Sequence, residues 1–453
     1  MDRSSRLAQA SIPRLLLQFS IPAIVGMTAQ ALYNLIDRVF VGQALGPSGI
    51  AGTTVAFPFM LIILAFGMLI GFGATALISI RLGEQKKDEA EKVLGNATVL
   101  LVATSVLITA VGLLFLDDIL VLFGASETVL PYARAYLRII VLGTVFQMVS
   151  FGLNATIRGE GNPKIAMLSM LISVVLNAIV APVFIFGLSW GMQGAALATV
   201  ISQAVTAVWV LVYFLGGRSV LRLHARQLRV DGRLCRDILV LGSPPFAMQM
   251  AASVMQSILN HQLRLHGGDL AISVMGILYV VFMMIAMPIF GINQGAQPII
   301  GYNYGARRFD RVRRTLVTAI LAATGLTLFG FAVTMLFPAQ VIWLFSPNDD
   351  ALLALGTHAM RISFLMLPLI GFQVVSASYF QAVSKPGQAM LLMLSRQLLL
   401  LIPAVLVLPQ FFGLDGVWAA MPTADLGACV ATSVCLWLEL RHLDSKHSAS
   451  KVL

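Results

Sequence analysis

Asp37 stands about 25 residues into an apolar segment that begins near Ile12 and is long enough to cross a membrane. A carboxyl group inside a membrane helix is energetically costly, so it marks a functional site by default. Loss of water favours the neutral acid over the carboxylate, and the side chain can therefore take up and release a proton as its access to water changes. The alternative is a static ion pair, for example with Arg38, although that side chain would point about 100° away around a helix.

Three further residues are unusual within apolar helices: one proline and two residues of opposite charge. Pro22 lies fifteen residues before Asp37, where a proline removes a backbone hydrogen bond and permits either a hinge or a static kink. Arg396 and Asp425 are opposite charges within predicted helices of the second half. A structural ion pair is the simpler interpretation, because each charge alone would be costly. The alternative makes Asp425 a second protonation or substrate site.

The composition predicts an all-α integral membrane protein. Of the 453 residues 58% are hydrophobic and 11% are charged, against about 25% charged in soluble domains. Apolar runs of membrane-spanning length recur twelve times and lack the alternation of a barrel strand. They lie near residues 12–40, 50–80, 93–116, 131–157, 163–187, 192–215, 235–263, 270–301, 312–338, 355–382, 388–410 and 414–440.

The net charge of +10 is distributed as a membrane topology signal. Most basic residues fall on alternate connections, whereas acidic residues such as Asp117 and Asp350 fall on the opposite ones. The positive-inside rule then predicts a multi-pass protein of the cell inner membrane with both termini in the cytoplasm. The basic surplus suits anionic lipid head groups, so membrane lipids are expected partners and nucleic acid is not.

Similar short motifs recur about 222 residues apart. Ser20-Ile21-Pro22 corresponds to Gly242-Ser243-Pro244, and Gly73-Ala74 corresponds to Gly295-Ala296. The near-constant offset predicts a tandem duplication, with residues 1–217 as an N-lobe of six helices, 218–234 as a basic cytoplasmic linker and 235–453 as a C-lobe of six helices. Because each half has an even number of helices, the repeats are parallel and enclose a central cavity, as in many transporters.

Three segments resemble the signatures of multidrug and toxic compound extrusion (MATE) transporters of the bacterial type. They are Tyr33–Gly42 (YNLIDRVFVG), Asn154–Pro163 (NATIRGEGNP) and Gly295–Ala306 (GAQPIIGYNYGA). The resemblance covers about residues 10–440. It implies a drug-resistance antiporter that exports organic cations and amphipathic compounds against an inward flow of protons or sodium, by alternating access to the central cavity.

The resemblance also implies a cation-coupling cluster, in which Asp37 is the coupling acid and Pro22 is the bending point of helix 1. Tyr33, Asn154, Asn177 and Thr199 match the polar residues around that acid.

One departure from the family pattern concerns the coupling ion. Some relatives carry a second acid one turn after Asn177, where this chain has Ala181, and the C-lobe lacks the acids that sodium-coupled relatives place in helices 7 and 10. A single carboxylate suits a proton better than a bare sodium ion. We therefore expect proton coupling, with sodium as the alternative.

The substrate cavity is predicted least sharply. Its candidate lining residues are Gln30, Asn34, Gln249, Gln256 and Met284. Carboxylates, aromatic rings and methionines together suit cationic amphipaths, but most such side chains simply face lipid or other helices. No phosphate-binding loop for ATP and no zinc-ligand spacing occurs in the sequence, so we expect neither enzymatic activity nor a resident cofactor. We also expect the protein to be a monomer. A flippase for lipids or lipid-linked sugars is the rival function.

Overall fold

The computed structural model describes residues 10–217, 219–345 and 349–450. Within these ranges, side chains are described except at residues 32–36, 38–39, 46–48, 50, 225, 257, 269 and 442–450. The described residues form α-helices joined by short turns and contain no β-strand. The all-α class predicted from the composition is confirmed.

The first half contains seven α-helices, which we number in chain order. They are α1 (Ile12–Gly83), α2 (Lys87–Leu114), α3 (Leu116–Leu122), α4 (Leu130–Leu142), α5 (Thr144–Gly159), α6 (Pro163–Pro182) and α7 (Gly191–Leu215). A π-helical turn, Val183–Gly187, continues α6, and a short 3₁₀ helix, Ala225–Leu228, follows α7.

The second half contains eight α-helices and a longer π-helical segment. The α-helices are α8 (Gly232–Gly305), α9 (Phe309–Leu336), α10 (Pro338–Trp343), α11 (Asp350–Ser363), α12 (Leu367–Ala382), α13 (Pro386–Leu394), α14 (Ile402–Phe412) and α15 (Leu414–Ser450). The π-helical segment Ser395–Leu401 joins α13 to α14. Gly268 interrupts α8 with a non-helical conformation, which divides it into two membrane-length segments.

In the part of the chain that the structure describes, ten helices are long and apolar enough to cross a membrane, and two bent pairs raise the number to twelve. Twelve is the number predicted from the apolar runs. The bent pairs are α4 with α5, at 55°, and α11 with α12, at 49°. The sequence predicted each pair as one unbroken run, because apolar composition records length but not direction.

A second difference concerns helix 1. Helical conformation continues from Ile12 to Gly83, and its membrane-length segments are Ile12–Ala31 and Ala51–Gly83. Asp37 therefore lies in helix between these two segments. The sequence instead predicted a break after residue 40.

The backbone repeats the duplication seen in the sequence. Three turn positions with positive φ recur at nearly the same offset as the motifs: Gln85 and Arg307, Gly161 and Ser384, and Gly191 and Gly413. Helices α2 and α9 likewise begin and end 222 residues apart. A left-handed conformation is uncommon for residues other than glycine. Its recurrence at matching turns therefore supports duplication of the whole six-helix unit.

The chain separates into two compact units that exchange short segments of sequence. Among the described residues, the first unit contains residues 21–246, and the second contains residues 10–20 and 247–450. The start of α1 thus belongs with the second half, and the start of α8 belongs with the first. The second unit has two apolar cores, one containing the fully buried Trp418 and the other containing Leu16 from α1.

Candidate functional site

Asp37 is buried, with 9% of its surface exposed. It belongs to the first unit, as does Pro22, which is also buried in α1. Gln30, on the same helix, is partly buried. The side chains of Tyr33 and Asn34 lie outside the described residues. The structure therefore places the candidate coupling acid in the interior of the first unit.

The structure brings together two of the polar residues assigned to the coupling cluster. Asn177 on α6 donates a hydrogen bond from Nδ2 to Thr199 Oγ1 on α7, at 3.3 Å, and both side chains are buried. Thr199 in turn donates to the carbonyl of Ala195, one turn earlier on its helix, at 3.2 Å. The pair therefore connects two helices by polar contact within an apolar interior.

Asn154 on α5 makes a denser set of contacts. Its Nδ2 donates to the Ala166 carbonyl at 2.7 Å and to Ser169 Oγ at 2.5 Å, both on α6. Its Oδ1 accepts from Arg158 at 2.5 Å. Basic residues at helix ends usually indicate topology and face water, yet the guanidinium of Arg158 is buried. Asn154 therefore supports a buried positive charge as well as joining two helices.

The candidate cavity residues of the second half are more exposed. Gln249 is partly buried, and Gln256 is exposed and donates from Nε2 to Asn260 Oδ1 at 3.0 Å, one turn further along α8. Met284 has 71% of its surface exposed. These side chains are therefore not part of the apolar core of the second unit.

Arg396 and Asp425 form an ion pair inside the second unit. Arg396 Nε lies 2.5 Å from Asp425 Oδ1, and the exposed side-chain fractions are 23% and 4%. Arg396 stands in the π-helical segment Ser395–Leu401, and π-helical turns are frequent at functional sites. The geometry is compatible with both interpretations from the sequence, a structural ion pair and a second site.

Glu160 is a buried acid that was not predicted from the sequence. It lies in the turn between α5 and α6, with 1% of its surface exposed, and accepts hydrogen bonds from Tyr213 of α7 and Ser219 of the linker. The backbone amide of Leu221 also donates to it, at 3.3 Å. In the sequence, Glu160 is only one residue of the MATE-like segment Asn154–Pro163, and its buried partners lie more than 50 residues further along the chain.

A second missed acid, Glu91 on α2, also fixes the linker. Its Oε1 accepts from the backbone amide of Arg222 at 3.0 Å, and its Oε2 accepts from Gln227 at 2.7 Å. Gly95, one turn further along, has no side chain, and a Cβ there would lie 2.2 Å from the Gln227 carbonyl. The linker thus packs directly on α2, and its residues Ala225–Leu228 form a short 3₁₀ helix.

The second unit also contains a buried acid in an ion pair. Lys385, in the turn between α12 and α13, pairs with Glu439 of α15. Within the described ranges, no group of three or more His, Cys, Asp or Glu side chains is placed to hold a metal ion.

Two repeated helical bundles with buried charges define a multi-pass membrane carrier built from a duplicated unit. The MatE family model matches the chain twice, at residues 22–183 and 244–406. The two matches begin 222 residues apart, at Pro22 and Pro244, and together they cover more than half of the chain. The chain belongs to the MATE family of transporters.

Two named proteins are similar to this chain over nearly its whole length. The multidrug export protein MepA of Staphylococcus haemolyticus is 27% identical over 433 residues, which are 95% of this chain and 93% of MepA. A solved structure of the MATE multidrug transporter DinF-BH, in complex with R6G, is 41% identical, with a TM-score of 0.89, and covers 96% of this chain and 98% of that one.

A second similar structure has a different proposed function. It is a MOP superfamily transporter from Pyrococcus furiosus, with a TM-score of 0.91, 26% identity and coverage of 97% of this chain and 98% of that one. It is described as having a binding pocket of reverse polarity that suggests a different function. The shared fold therefore does not by itself fix the substrate.

Proposed function

We propose that this transporter is a multidrug efflux antiporter that exports organic cations or amphipathic compounds in exchange for protons, by alternating access. It acts in the cell inner membrane with both termini in the cytoplasm. The observation that carries the proposal is the buried carboxyl of Asp37, in a chain 41% identical to a multidrug transporter described in complex with R6G. Similarity to MepA supports the same function.

Competition for one carboxylate explains how proton and substrate exchange. When Asp37 is ionised, its charge favours a bound cation, and when it is protonated that attraction is lost. The proton enters from the outer side and releases the cation there. Pro22 permits α1 to bend as the charge changes, because the proline ring removes one helical hydrogen bond.

Proton coupling is favoured over sodium coupling because positions where carboxylates would assist sodium binding carry uncharged side chains. Ala181, one helical turn after Asn177, is fully buried and offers only a methyl group. In the second half, Gln373 and Gln381 are buried amides, which carry no negative charge. A sodium ion prefers several oxygens and negative charge, whereas a proton needs only one carboxylate.

The remaining parts of the proposal concern the molecules that bind. Substrates contact amide and thioether side chains such as Gln249, Gln256 and Met284, because such surfaces adapt to many shapes. Membrane lipids are the other partners, and the transporter acts as a monomer without a resident cofactor.

Purified protein in liposomes with a trapped pH dye tests this proposal. R6G or another organic cation is added outside, with and without sodium, to wild type, Asp37→Asn and Asp118→Asn. Asp118 is an exposed acid and serves as the matched control. We expect cation-triggered proton movement in wild type and Asp118→Asn, none in Asp37→Asn, and no dependence on sodium. Exchange of one proton for one monovalent cation is electroneutral, so one pH unit supports about a tenfold cation gradient.

Two outcomes would replace the proposal. Flux that requires sodium would leave drug efflux in place and exchange the coupling ion. Absence of proton movement with every compound, together with an unchanged Asp37→Asn variant, would reject drug antiport. The flippase would then be tested with fluorescent lipids in the same vesicles.

A further inference from the structure

The first eleven described residues of the chain belong to the second unit. Residues 10–20 are grouped with residues 247–450, and the described part of the first unit begins at Ile21. The transition therefore falls within α1, two residues before the buried Pro22. Because α1 carries Asp37 further along, the way its start is held decides where the helix can bend.

An apolar stripe packs this start into the second unit. Ile12, Leu15, Leu16 and Phe19 follow helical spacing and are all buried. Leu16 belongs to the core formed by α8, α9 and α12. Leu16 therefore fixes the segment in the apolar core of the second unit, with which residues 10–20 are grouped.

A glycine permits the closest approach between these helices. A Cβ at position 295 of α8 would lie 2.8 Å from the backbone nitrogen of Ser20 and 2.6 Å from its Oγ. Such distances leave no room for a side chain. Gly295 therefore brings α8 and the start of α1 into backbone contact.

Arg311 of α9 ties down the first residue of the segment. Its Nη2 donates to the Ala10 carbonyl at 2.7 Å, and its Nε donates to Asn303 Oδ1 at 3.1 Å. Asn303 is fully buried and donates to the Ile299 carbonyl, so it orients the guanidinium. The planar fork of arginine suits this double contact, and a lysine would not reproduce it.

The other half of the duplication contains a matching arrangement. A Cβ at Gly73 of α1 would lie 2.0 Å from the Ile238 carbonyl, and one at Gly242 would lie 1.6 Å from the Leu69 carbonyl. The amide of Asp231, before α8, donates to Asn96 of α2 at 2.8 Å. Gly73 and Gly295 are 222 residues apart, as are Ser20 and Gly242. Each half therefore fastens the start of the other half's first helix.

We infer that Arg311 and Gly295 anchor Ala10–Ser20 to the second unit, and that Arg311 is a positioning residue for proton coupling. An anchored start forces α1 to absorb any rearrangement of the units beyond Ser20, at Pro22. Movement is thereby passed along the helix to Asp37. The coupling role rests on the proposed function, whereas the anchoring role does not.

Hydrogen exchange of the amides, read by mass spectrometry, tests the anchor. The variants are Arg311→Gln, Arg311→Lys and Gly295→Ala. Arg314→Gln is the control for charge, because Arg314 is exposed on the same helix. Gly276→Ala is the control for the glycine, because a Cβ there would meet nothing within 4 Å.

We expect Arg311→Gln and Gly295→Ala to speed exchange in residues 10–20 by about 10- to 100-fold, as loss of a hydrogen bond to a charged donor implies. Residues 247–263 and both controls should be unchanged. Turnover of R6G per folded transporter should fall at least about tenfold in Arg311→Gln while its affinity stays the same, and Arg311→Lys should recover part of the loss.

Unchanged exchange in residues 10–20 of Arg311→Gln would overturn the anchor. If Arg311→Gln showed faster exchange in residues 10–20 but the same R6G turnover as Arg314→Gln, the positioning role would be overturned. Wild type that moves no protons in response to any cation would overturn the proposed function and the coupling role with it, while the exchange result would still decide whether the start of α1 is anchored.

Discussion

Removing the positive member of the Arg396–Asp425 pair separates its two interpretations. In Arg396→Met, the carboxyl of Asp425 keeps its burial, with a side chain that is 4% exposed, and loses its partner. Breaking a buried ion pair from one side costs about 3–5 kcal/mol. Protonation limits this cost, because neutralising a carboxyl of ordinary pKa, about 3.9, costs about 4 kcal/mol at pH 7 and about 1.5 kcal/mol at pH 5.

The two single variants should differ, because the two side chains differ in exposure. Asp425→Asn removes the negative charge beside Arg396 but keeps an amide oxygen that can accept its hydrogen bond. The Arg396 side chain is also less buried, at 23% exposed, so we expect a loss of about 1–3 kcal/mol. Arg396→Met should cost more at pH 7 and less at pH 5. The double variant Arg396→Met with Asp425→Leu should lie within about 1 kcal/mol of wild type, since an apolar pair replaces a buried ion pair at little cost.

Reversible unfolding in mixed micelles, followed by tryptophan fluorescence, measures these differences. Arg361→Met is the control, because Arg361 is exposed in the same half. Equal stabilities of Arg396→Met and Arg361→Met would refute the reasoning from burial. An Asp425→Asn variant as stable as wild type but inactive in R6G transport would instead identify Asp425 as a second site.

Two further predictions concern charges at the ends of the helices. Glu160→Gln should weaken the hold on Ser219 and Leu221, so we expect trypsin to cut the linker several times faster than in wild type, whereas cutting at an unchanged rate would contradict this role. Burial raises the pKa of Glu84, but hydrogen bonds and charges from Arg81 and Lys86 outweigh it and lower the pKa below 4.5. This group should stabilise the fold above pH 4.5 and lose that effect as pH falls further, so Glu84→Gln should flatten the acid limb of the stability curve, and an unaltered limb would count against it.

The apolar pattern predicted the large features because they depend on length and repetition. Runs of about 20 apolar residues must cross the membrane as helices, and the offset of the short motifs identified the duplication. The bends at Gly143 and near Leu365 escaped because both sides of each bend are equally apolar. A change of direction without a change of composition leaves no signal in the sequence.

The candidate site was predicted less completely, and the omissions have a physical cause. Arg158 and Glu160 stand at the end of a helix, where charged residues usually face water and report topology. Their burial depends on partners distant in sequence, such as Tyr213 and Ser219. An acid in the middle of a membrane helix, such as Asp37, is costly and rare, and for that reason it could be identified from the sequence.

Each half contacts the start of the other half's first helix, and these contacts explain why certain residues are the same in both halves. Gly73 and Gly295 are matched in sequence because each stands where a helix of one half meets the start of the other half's first helix without room for a side chain. Leucine or valine at lipid-facing positions can be exchanged freely, since only their apolarity is required. A duplicated transporter can therefore diverge over most of its surface, provided that these two contacts are kept at the start of each first helix.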